Sequence, residues 1–213
     1  MPGARRRRVV CPIRLPPAAP GLRIGLYGGS FNPPHPGHRH VALTALRRLR
    51  LDRVWWIVTP GNPLKDVREL ASEEKRLAAT RAVAKHPRFA VTGFEAELGV
   101  VYTVETLRFL LLRRPDLRFV WIMGADSLAS FHRWRHWREM ASLVPIAIVD
   151  RPGWTLRAAT SRAAEALARA RVPERDATLL PDLPAPAWTL LHGPRSNLSS
   201  TVLRRTQRVV DTR

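Results

Sequence analysis

The 213-residue sequence has little lysine and little cysteine. Only three of its 36 basic residues are lysines, so arginines spread along the whole chain carry almost all of the formal net charge of +19. A charge of this kind indicates polyanionic partners, such as nucleotides, nucleic acid or an anionic membrane surface, without selecting one of them. The single cysteine, Cys11, excludes an internal disulfide framework.

Long apolar runs are also missing. No run approaches the roughly 18 residues that a membrane span needs, and the first 20 residues contain no apolar core of a signal peptide. These residues are rich in proline and arginine, which predicts a basic, disordered leader over residues 1–20 and one domain over residues 21–213. We therefore expect a cytoplasmic protein without a membrane partner, and we expect the arginine run at residues 5–8 to be a solvated tail without a nucleic-acid partner.

From residue 22 onward, strand-like and helix-like segments alternate. The apolar run LRIGLY at residues 22–27 is typical of a strand buried on both faces. Further strands are predicted at residues 53–60, 88–94, 117–124, 144–150 and 188–193. Helical patterns lie between them, for example at residues 72–86 with Ser72 as the N-cap and at residues 162–172, and a last helix is predicted from about Ser199. This order predicts an α/β protein with a Rossmann-like, doubly wound parallel sheet and helices on both faces, in which ligands bind at the carboxyl ends of the strands.

The segment GGSFNPPHPGH, residues 28–38, directly follows the first predicted strand. The chain contains neither G-x-G-x-x-G after a strand nor G-x-x-x-x-G-K-[ST], which argues against a dinucleotide-dependent oxidoreductase and a P-loop kinase. Two glycines allow a ligand to approach the backbone, prolines stiffen the loop, and His35 and His38 flank the start of a helix, whose free N–H groups suit phosphate. We expect no metal site at His35, His38 and His40, because no carboxylate or cysteine lies nearby in the sequence.

A second phosphate-binding pattern lies near the end of the chain. Ser199, Ser200 and Thr201 are typical of a helix N-terminus, and Arg204 follows about one turn later, so these residues are able to receive phosphate oxygens. Taken alone, the segment is better explained as a capped helix with a solvated arginine. Its pairing with the first motif favours the phosphate-binding interpretation.

Several segments resemble those of bacterial nicotinate-nucleotide adenylyltransferases. Residues 28–38 resemble the G-S-F-[DN]-P-x-H-x-G-H signature of their nucleotidyltransferase superfamily, and NLSSTVLR at residues 197–204 resembles its second motif, I-S-S-T-x-[IL]-R. The segments TPGNPLK, VYTVETL, GADSLASFHRWRHW and DRPGW lie between them in the order of this family. The resemblance covers about residues 22–208.

The resemblance implies a reaction and its partners. The family transfers AMP from ATP to nicotinate mononucleotide, which yields deamido-NAD and pyrophosphate in NAD biosynthesis, by direct in-line attack without a covalent intermediate. Mg²⁺ is expected to arrive with the ATP phosphates, and a homodimer stays open as the oligomeric state. Many relatives have aspartate where this chain has Asn32; we expect the amide to keep the polar role in the turn, since the mechanism needs no carboxylate base there.

Roles for individual residues are also implied by the resemblance. His35, His38 and Arg204 are the expected catalytic residues. The expected ATP-binding residues are Gly28, Gly29, Ser30, Phe31, His35, His38, Gly124, Asp126, Ser199, Ser200, Thr201 and Arg204. Lys65, Tyr102, Thr103 and Trp134 are expected around the nicotinate nucleotide, with Trp134 stacked on its ring. We expect Trp55 and Trp56 to pack within a strand, and for Trp137 a place in the core is an open alternative.

Two other functions are open at this point. A related adenylyltransferase would use nicotinamide mononucleotide or phosphopantetheine as acceptor. An arginine-rich RNA-binding protein without catalytic activity would explain the charge but not the paired motifs, and one common RNA-binding signature is missing from the chain.

Overall fold

The computed structural model describes residues 13–61 and 70–193. Within them, six parallel strands form one sheet in the order β3-β2-β1-β4-β5-β6. The strands are β1 (Arg23–Gly29), β2 (Arg53–Val58), β3 (Phe89–Thr92), β4 (Arg118–Gly124), β5 (Ile146–Val149) and β6 (Trp188–Leu191). The predicted Rossmann-like parallel sheet is confirmed. The direction of winding reverses between β1 and β4, and this is where such sheets bind ligands.

Helices connect the strands and cover both faces of the sheet. They are α1 (Pro36–Arg48), α2 (Glu73–Val83), α3 (Phe94–Leu98), α4 (Thr103–Arg113), α5 (Ala125–Ser130), α6 (Trp137–Leu143), α7 (Thr155–Ala159) and α8 (Arg162–Ala166). Short 3₁₀ helices span Phe131–Arg133, Ala168–Ala170 and Glu174–Asp182.

Alternate residues of the central strands enter two separate hydrophobic cores. Trp55 and Trp121 point to the core formed with α3 to α8, whereas Trp56 and Ile122 point to the core formed with α1 and the 3₁₀ helix Glu174–Asp182. This alternation follows from the period of two along a strand. Both faces are apolar because helices cover both, which explains why the strands appear as near-continuous apolar runs in the sequence.

Local chemistry determines where several helices begin and end. The Ser72 hydroxyl accepts a hydrogen bond from the backbone N–H of Lys75 at 3.4 Å, so Ser72 caps α2 as predicted. The helix predicted over residues 162–172 is shorter, because α8 ends at Ala166. Here the indole Nε1 of Trp188 donates to the Leu167 carbonyl at 2.8 Å, and the Val172 N–H donates to the Trp188 carbonyl at 2.7 Å. These contacts with β6 draw the chain out of the helix and along the edge of the sheet.

Ordered packing begins earlier than the predicted domain boundary at residue 21. Ile13, Leu15 and Ala18 pack against the core on the α4 side of the sheet, and the Arg114 guanidinium donates to the Ala18 carbonyl at 2.8 Å. In the described part of the chain, no helix has the length and apolar character needed to cross a membrane.

Candidate active site

Three neighbouring strands bring the predicted phosphate loop and two charged side chains to one edge of the sheet. The loop GGSFNPPH begins with the last two residues of β1 and continues beyond the strand, Asp126 lies just after β4, and Arg151 lies just after β5. Because the strands are parallel, their carboxyl ends meet at this edge. The structure therefore places the loop beside the point where the winding of the sheet reverses, as the sequence predicts.

Glycines at the ends of β1 and β4 leave space for neighbouring side chains that any larger residue would fill. A Cβ atom at Gly28 would lie 2.5 Å from Cη2 of the buried Trp121, and a Cβ atom at Gly124 would collide with Oδ1 of Asp126 and lie 2.9 Å from Nε of Arg151. The missing side chains thus allow β1 to pack closely against Trp121 and allow the Asp126 and Arg151 side chains to lie against the end of β4.

Three aromatic residues, Tyr27, Phe31 and Trp56, pack against one another and support the loop; we call them the aromatic base. Phe31 is only 2% exposed and has a positive φ of 44°, an uncommon conformation for a bulky residue. Its ring centroid lies 5.5 Å from that of Tyr27, 5.2 Å from that of Trp56 and 5.1 Å from that of His38. This packing turns the chain sharply after β1 and places the His38 ring on an apolar surface.

His35 and His38 lie together at the start of α1. The two ring centroids are 3.8 Å apart, and Nδ1 of His38 accepts a hydrogen bond from the backbone N–H of His35 at 3.1 Å. Since that nitrogen is an acceptor, a neutral His38 carries its proton on Nε2, which makes Nε2 a donor. His35 is 1% exposed, and neither of its ring nitrogens has a hydrogen-bond partner among the described residues.

The surroundings of His35 favour its neutral form. Burial lowers the pKa of His35 to about 4; the positive charge of Arg151 lowers it as well, and the negative charge of Asp126 opposes them. At neutral pH the imidazole therefore has one N–H donor and one free acceptor. An arriving polyanion would raise this pKa, because a nearby negative charge favours the imidazolium form.

Asp126 and Arg151 form an ion pair beside the histidines, with 3.3 Å between Oδ2 and Nη1. The other carboxylate oxygen of Asp126, Oδ1, is buried and has no hydrogen-bond partner among the described residues. Burial raises the pKa of Tyr27 to about 12, and the positive charge of Arg151 opposes this shift. Tyr27 is thus protonated at any physiological pH, and within the described part of the chain Oδ1 of Asp126 is a buried carboxylate oxygen without the hydrogen bond that such atoms usually have.

The residues predicted around the second substrate come from two loops that touch. Tyr102 and Thr103 lie at the start of α4, and Trp134 follows the 3₁₀ helix Phe131–Arg133. The guanidinium of Arg135 lies 4.6 Å from the centroid of the Tyr102 ring, which joins the two loops. The Trp134 ring is half-buried and packs edge-to-face on Phe131, with 5.5 Å between centroids.

Trp137 is 8% exposed and packs in the core against Phe131, so it is a core residue. Trp55 and Trp56 are fully buried in β2, as expected. Five predicted site residues, Lys65, Ser199, Ser200, Thr201 and Arg204, lie outside the described residues.

Three residues of this region have no role predicted from the sequence. Tyr27 lies in the first predicted strand and Arg151 in the segment DRPGW. Arg76 of α2 is the third: it is 3% exposed and donates to main-chain carbonyls, including that of Ser30 in the phosphate loop. Helical spacing gives no sign that an arginine is buried in this way.

The side chains at the site offer few protein ligands for Mg²⁺. Among residues 13–61 and 70–193, no three histidine, cysteine or carboxylate side chains come together as metal ligands. The carboxylate here is that of Asp126, and Mg²⁺ prefers oxygen ligands while keeping several waters. This donor set fits a cation that takes most of its ligands from phosphate and water.

Residues 26–206 match the family of cytidylyltransferase-like proteins, so the chain belongs to this family of nucleotidyltransferases. A protein from Methylorubrum extorquens, described as a probable nicotinate-nucleotide adenylyltransferase, is 64% identical over 183 residues, which cover 86% of this chain and 99% of that protein. A protein of the same description from Brucella suis biovar 1 is 56% identical over 186 residues, 87% of this chain and 96% of its own length. Within the nucleotidyltransferases, the chain therefore belongs to the nicotinate-nucleotide adenylyltransferase family.

The fold is similar to that of a solved enzyme. The Plasmodium falciparum nicotinic acid mononucleotide adenylyltransferase, solved in complex with NaAD, superposes with a TM-score of 0.65 at 16% sequence identity, covering 85% of this chain and 82% of that chain. The family and the enzyme class predicted from the sequence are thus confirmed by the relatives, and the predicted fold is confirmed by the solved structure.

Proposed function

We propose that this protein transfers the adenylyl group of ATP to nicotinate mononucleotide and releases pyrophosphate, a step of NAD biosynthesis. The observation that carries the proposal is the pair of adjacent histidine rings beyond the carboxyl end of β1, near Asp126 and Arg151. Both relatives described above are named as probable nicotinate-nucleotide adenylyltransferases. The Plasmodium protein was solved with NaAD bound.

In the proposed reaction, a phosphate oxygen of the mononucleotide attacks the α-phosphorus of ATP. A new O–P bond forms as the bond between the α-phosphorus and the oxygen leading to the β-phosphorus breaks, and pyrophosphate leaves with that oxygen. The second pKa of a phosphate monoester is near 6, so the nucleophile is already mostly ionised at neutral pH and no general base is needed. Alignment and charge neutralisation are the remaining tasks.

His35 and His38 perform these tasks in the proposal. Nε2–H of His38 and one ring N–H of His35 donate to oxygens of the transferring phosphoryl group, where negative charge shifts during the reaction. The backbone hydrogen bond of His38 and the aromatic base keep both rings in place, so little reorganisation is needed when ATP binds.

Other residues position the two nucleotides. The free Oδ1 of Asp126 accepts a hydrogen bond from ribose hydroxyls, and Tyr102, Thr103 and Trp134 surround the nicotinate nucleotide, with Trp134 stacked on its ring. Lys65, Ser199, Ser200, Thr201 and Arg204 keep the roles expected from the sequence. Mg²⁺ bound to the ATP phosphates would neutralise part of their charge.

Pyrophosphate release by the purified protein with Mg-ATP tests the proposal. Nicotinate mononucleotide, nicotinamide mononucleotide and phosphopantetheine are compared as acceptors at matched concentrations. We expect kcat/KM to be largest for nicotinate mononucleotide. A preference for another acceptor would replace the proposed substrate, and RNA binding that weakens steeply with salt, without turnover of any acceptor, would support the RNA-binding function.

A further inference from the structure

Arg76 is a buried arginine whose hydrogen-bond partners are main-chain carbonyls. Nε donates to the carbonyl of Ala71 at 2.9 Å, and Nη2 donates to that of Pro60 at 3.2 Å. Nη1 donates twice, to Ser30 at 2.9 Å and to Thr59 at 2.7 Å. Four of the five N–H groups of the guanidinium are thus used.

The four carbonyls belong to three different parts of the chain. Ser30 is the first residue of the phosphate loop after β1, Thr59 and Pro60 follow β2, and Ala71 precedes α2. One rigid, planar group therefore joins the phosphate loop to the ends of two neighbouring elements. A buried cation is costly unless its donors are satisfied, and these four hydrogen bonds satisfy most of them while they fix the three segments relative to one another.

Two further hydrogen bonds act on the same loop. The backbone N–H of Thr59 donates to the Gly29 carbonyl at 3.0 Å, and the N–H of Ala71 donates to Oδ1 of Asn32 at 3.3 Å. The bond from Arg76 to Ser30 lies between these two points along the chain. It fixes the peptide that immediately precedes Phe31, the residue with the positive φ, where the chain turns toward His35.

We infer that Arg76 is a positioning residue of the adenylyl transfer, which holds the phosphate loop in the orientation that directs His35 and His38 at the ATP phosphates. It acts through the main chain and does not contact the substrate. Small displacements of catalytic groups lower rates strongly, by roughly 10²-fold for about 1 Å. The inference rests on the proposed function.

The test compares Arg76→Met with Arg81→Met. Arg81 is exposed on the same helix, so its replacement removes the same charge and the same side-chain type without touching the loop. For each variant, thermal unfolding is recorded, and kcat and both KM values are measured below the variant's own unfolding midpoint. We expect Arg76→Met to lose roughly 10- to 100-fold in kcat, with the KM for nicotinate mononucleotide changed less than about threefold. Arg81→Met is expected to match the wild type.

Arg76→Lys separates positioning from general stability. Lysine keeps the charge but lacks the planar guanidinium, whose N–H groups reach three chain segments at once. Relative to Arg76→Met, we therefore expect Arg76→Lys to recover part of the thermal stability but little of kcat. Full recovery of kcat by lysine, or a folded Arg76→Met with the kcat of Arg81→Met, would overturn the inference. If neither Arg76 variant folds, Arg76 acts on the whole domain and the inference is overturned as well.

Failure of the proposed function gives a different result. In that case the wild type releases no pyrophosphate with any acceptor. Calorimetry of Mg-ATP binding then tests whether Arg76 orients the loop. The inference requires that the dissociation constant of Arg76→Met be at least about tenfold larger than that of Arg81→Met.

Discussion

Replacement of Glu95 with glutamine is predicted to change how the stability of this protein depends on pH. Glu95 lies in α3, is 4% exposed, and accepts a hydrogen bond from Oγ1 of Thr106 in α4 at 2.6 Å. Burial raises the pKa of Glu95 from 4.5 to about 7; the hydrogen bond from Thr106 lowers it in part, and the negative charge of Glu73 raises it further.

The size and the sign of the effect follow from this pKa. Between about pH 4.5 and pH 7, the folded protein holds a proton on Glu95 that the unfolded chain has lost. The resulting stabilisation is fully present below the unfolded pKa and is lost as the pH rises through about 7. A shift from 4.5 to about 7 corresponds to about 3 kcal/mol in full, of which about 2.5 kcal/mol is lost between about pH 5 and pH 8.

Glu95→Gln keeps the shape of the side chain and the acceptor for Thr106 but does not ionise. Urea unfolding of the wild type and the variant at about pH 5, 6, 7 and 8 would give the free energy of unfolding at each pH. Relative to the wild type, the variant should become more stable by about 2.5 kcal/mol across this range.

Glu97→Gln is the matched control, because Glu97 is exposed on the same helix. Its stability profile should run parallel to that of the wild type. A parallel profile for Glu95→Gln would refute the reasoning, since it would mean that Glu95 is ionised in the folded protein at about pH 5. Thr106→Val removes the hydrogen-bond donor that lowers the pKa of Glu95. In this variant, the loss of stability should therefore occur at a higher pH than in the wild type.

Four further predictions concern the site. His38→Ala should lower kcat by roughly 10²- to 10³-fold in a folded protein, because it removes a donor used as charge shifts; near wild-type kcat would contradict that role. Asp126→Asn should weaken ATP binding about tenfold by calorimetry, and an unchanged dissociation constant would argue against ribose recognition. Gly28→Ala should cost about 1–3 kcal/mol in thermal unfolding, since its Cβ would lie 2.5 Å from Trp121, whereas Gly193→Ala, with the nearest atom at 3.6 Å, should cost little; equal losses would count against the close packing. EDTA should abolish pyrophosphate release and added Mg²⁺ should restore it; activity that persists in EDTA would exclude the metal requirement.

The strands were predictable because each central strand is buried on both faces and therefore appears as an apolar run. The phosphate loop was predictable because glycine, proline and histidine are concentrated directly after the first of these runs. Ser72 was predictable as a cap because capping depends only on residues three or four positions away.

Arg76 and Arg151 were not predictable, because their partners are far away in the sequence and their own neighbours give no sign of burial. Arg76 contacts the Ser30 carbonyl across 46 positions, and Arg151 meets Asp126 across 25. The early end of α8 has a similar origin: the indole of Trp188, 21 positions away, binds the Leu167 carbonyl, and such tertiary contacts override local helix propensity.

The contacts of Arg76 have a consequence for how this region tolerates change. Each of its acceptors is a main-chain oxygen, so the side chains at Ser30, Thr59 and Ala71 can be exchanged without removing an acceptor. No second substitution in a partner side chain can compensate for the loss of the arginine. A search for pairs of residues that change together would therefore miss this contact. A designer who transfers the backbone of the three segments to another protein needs to transfer only the Arg76 side chain to keep these hydrogen bonds.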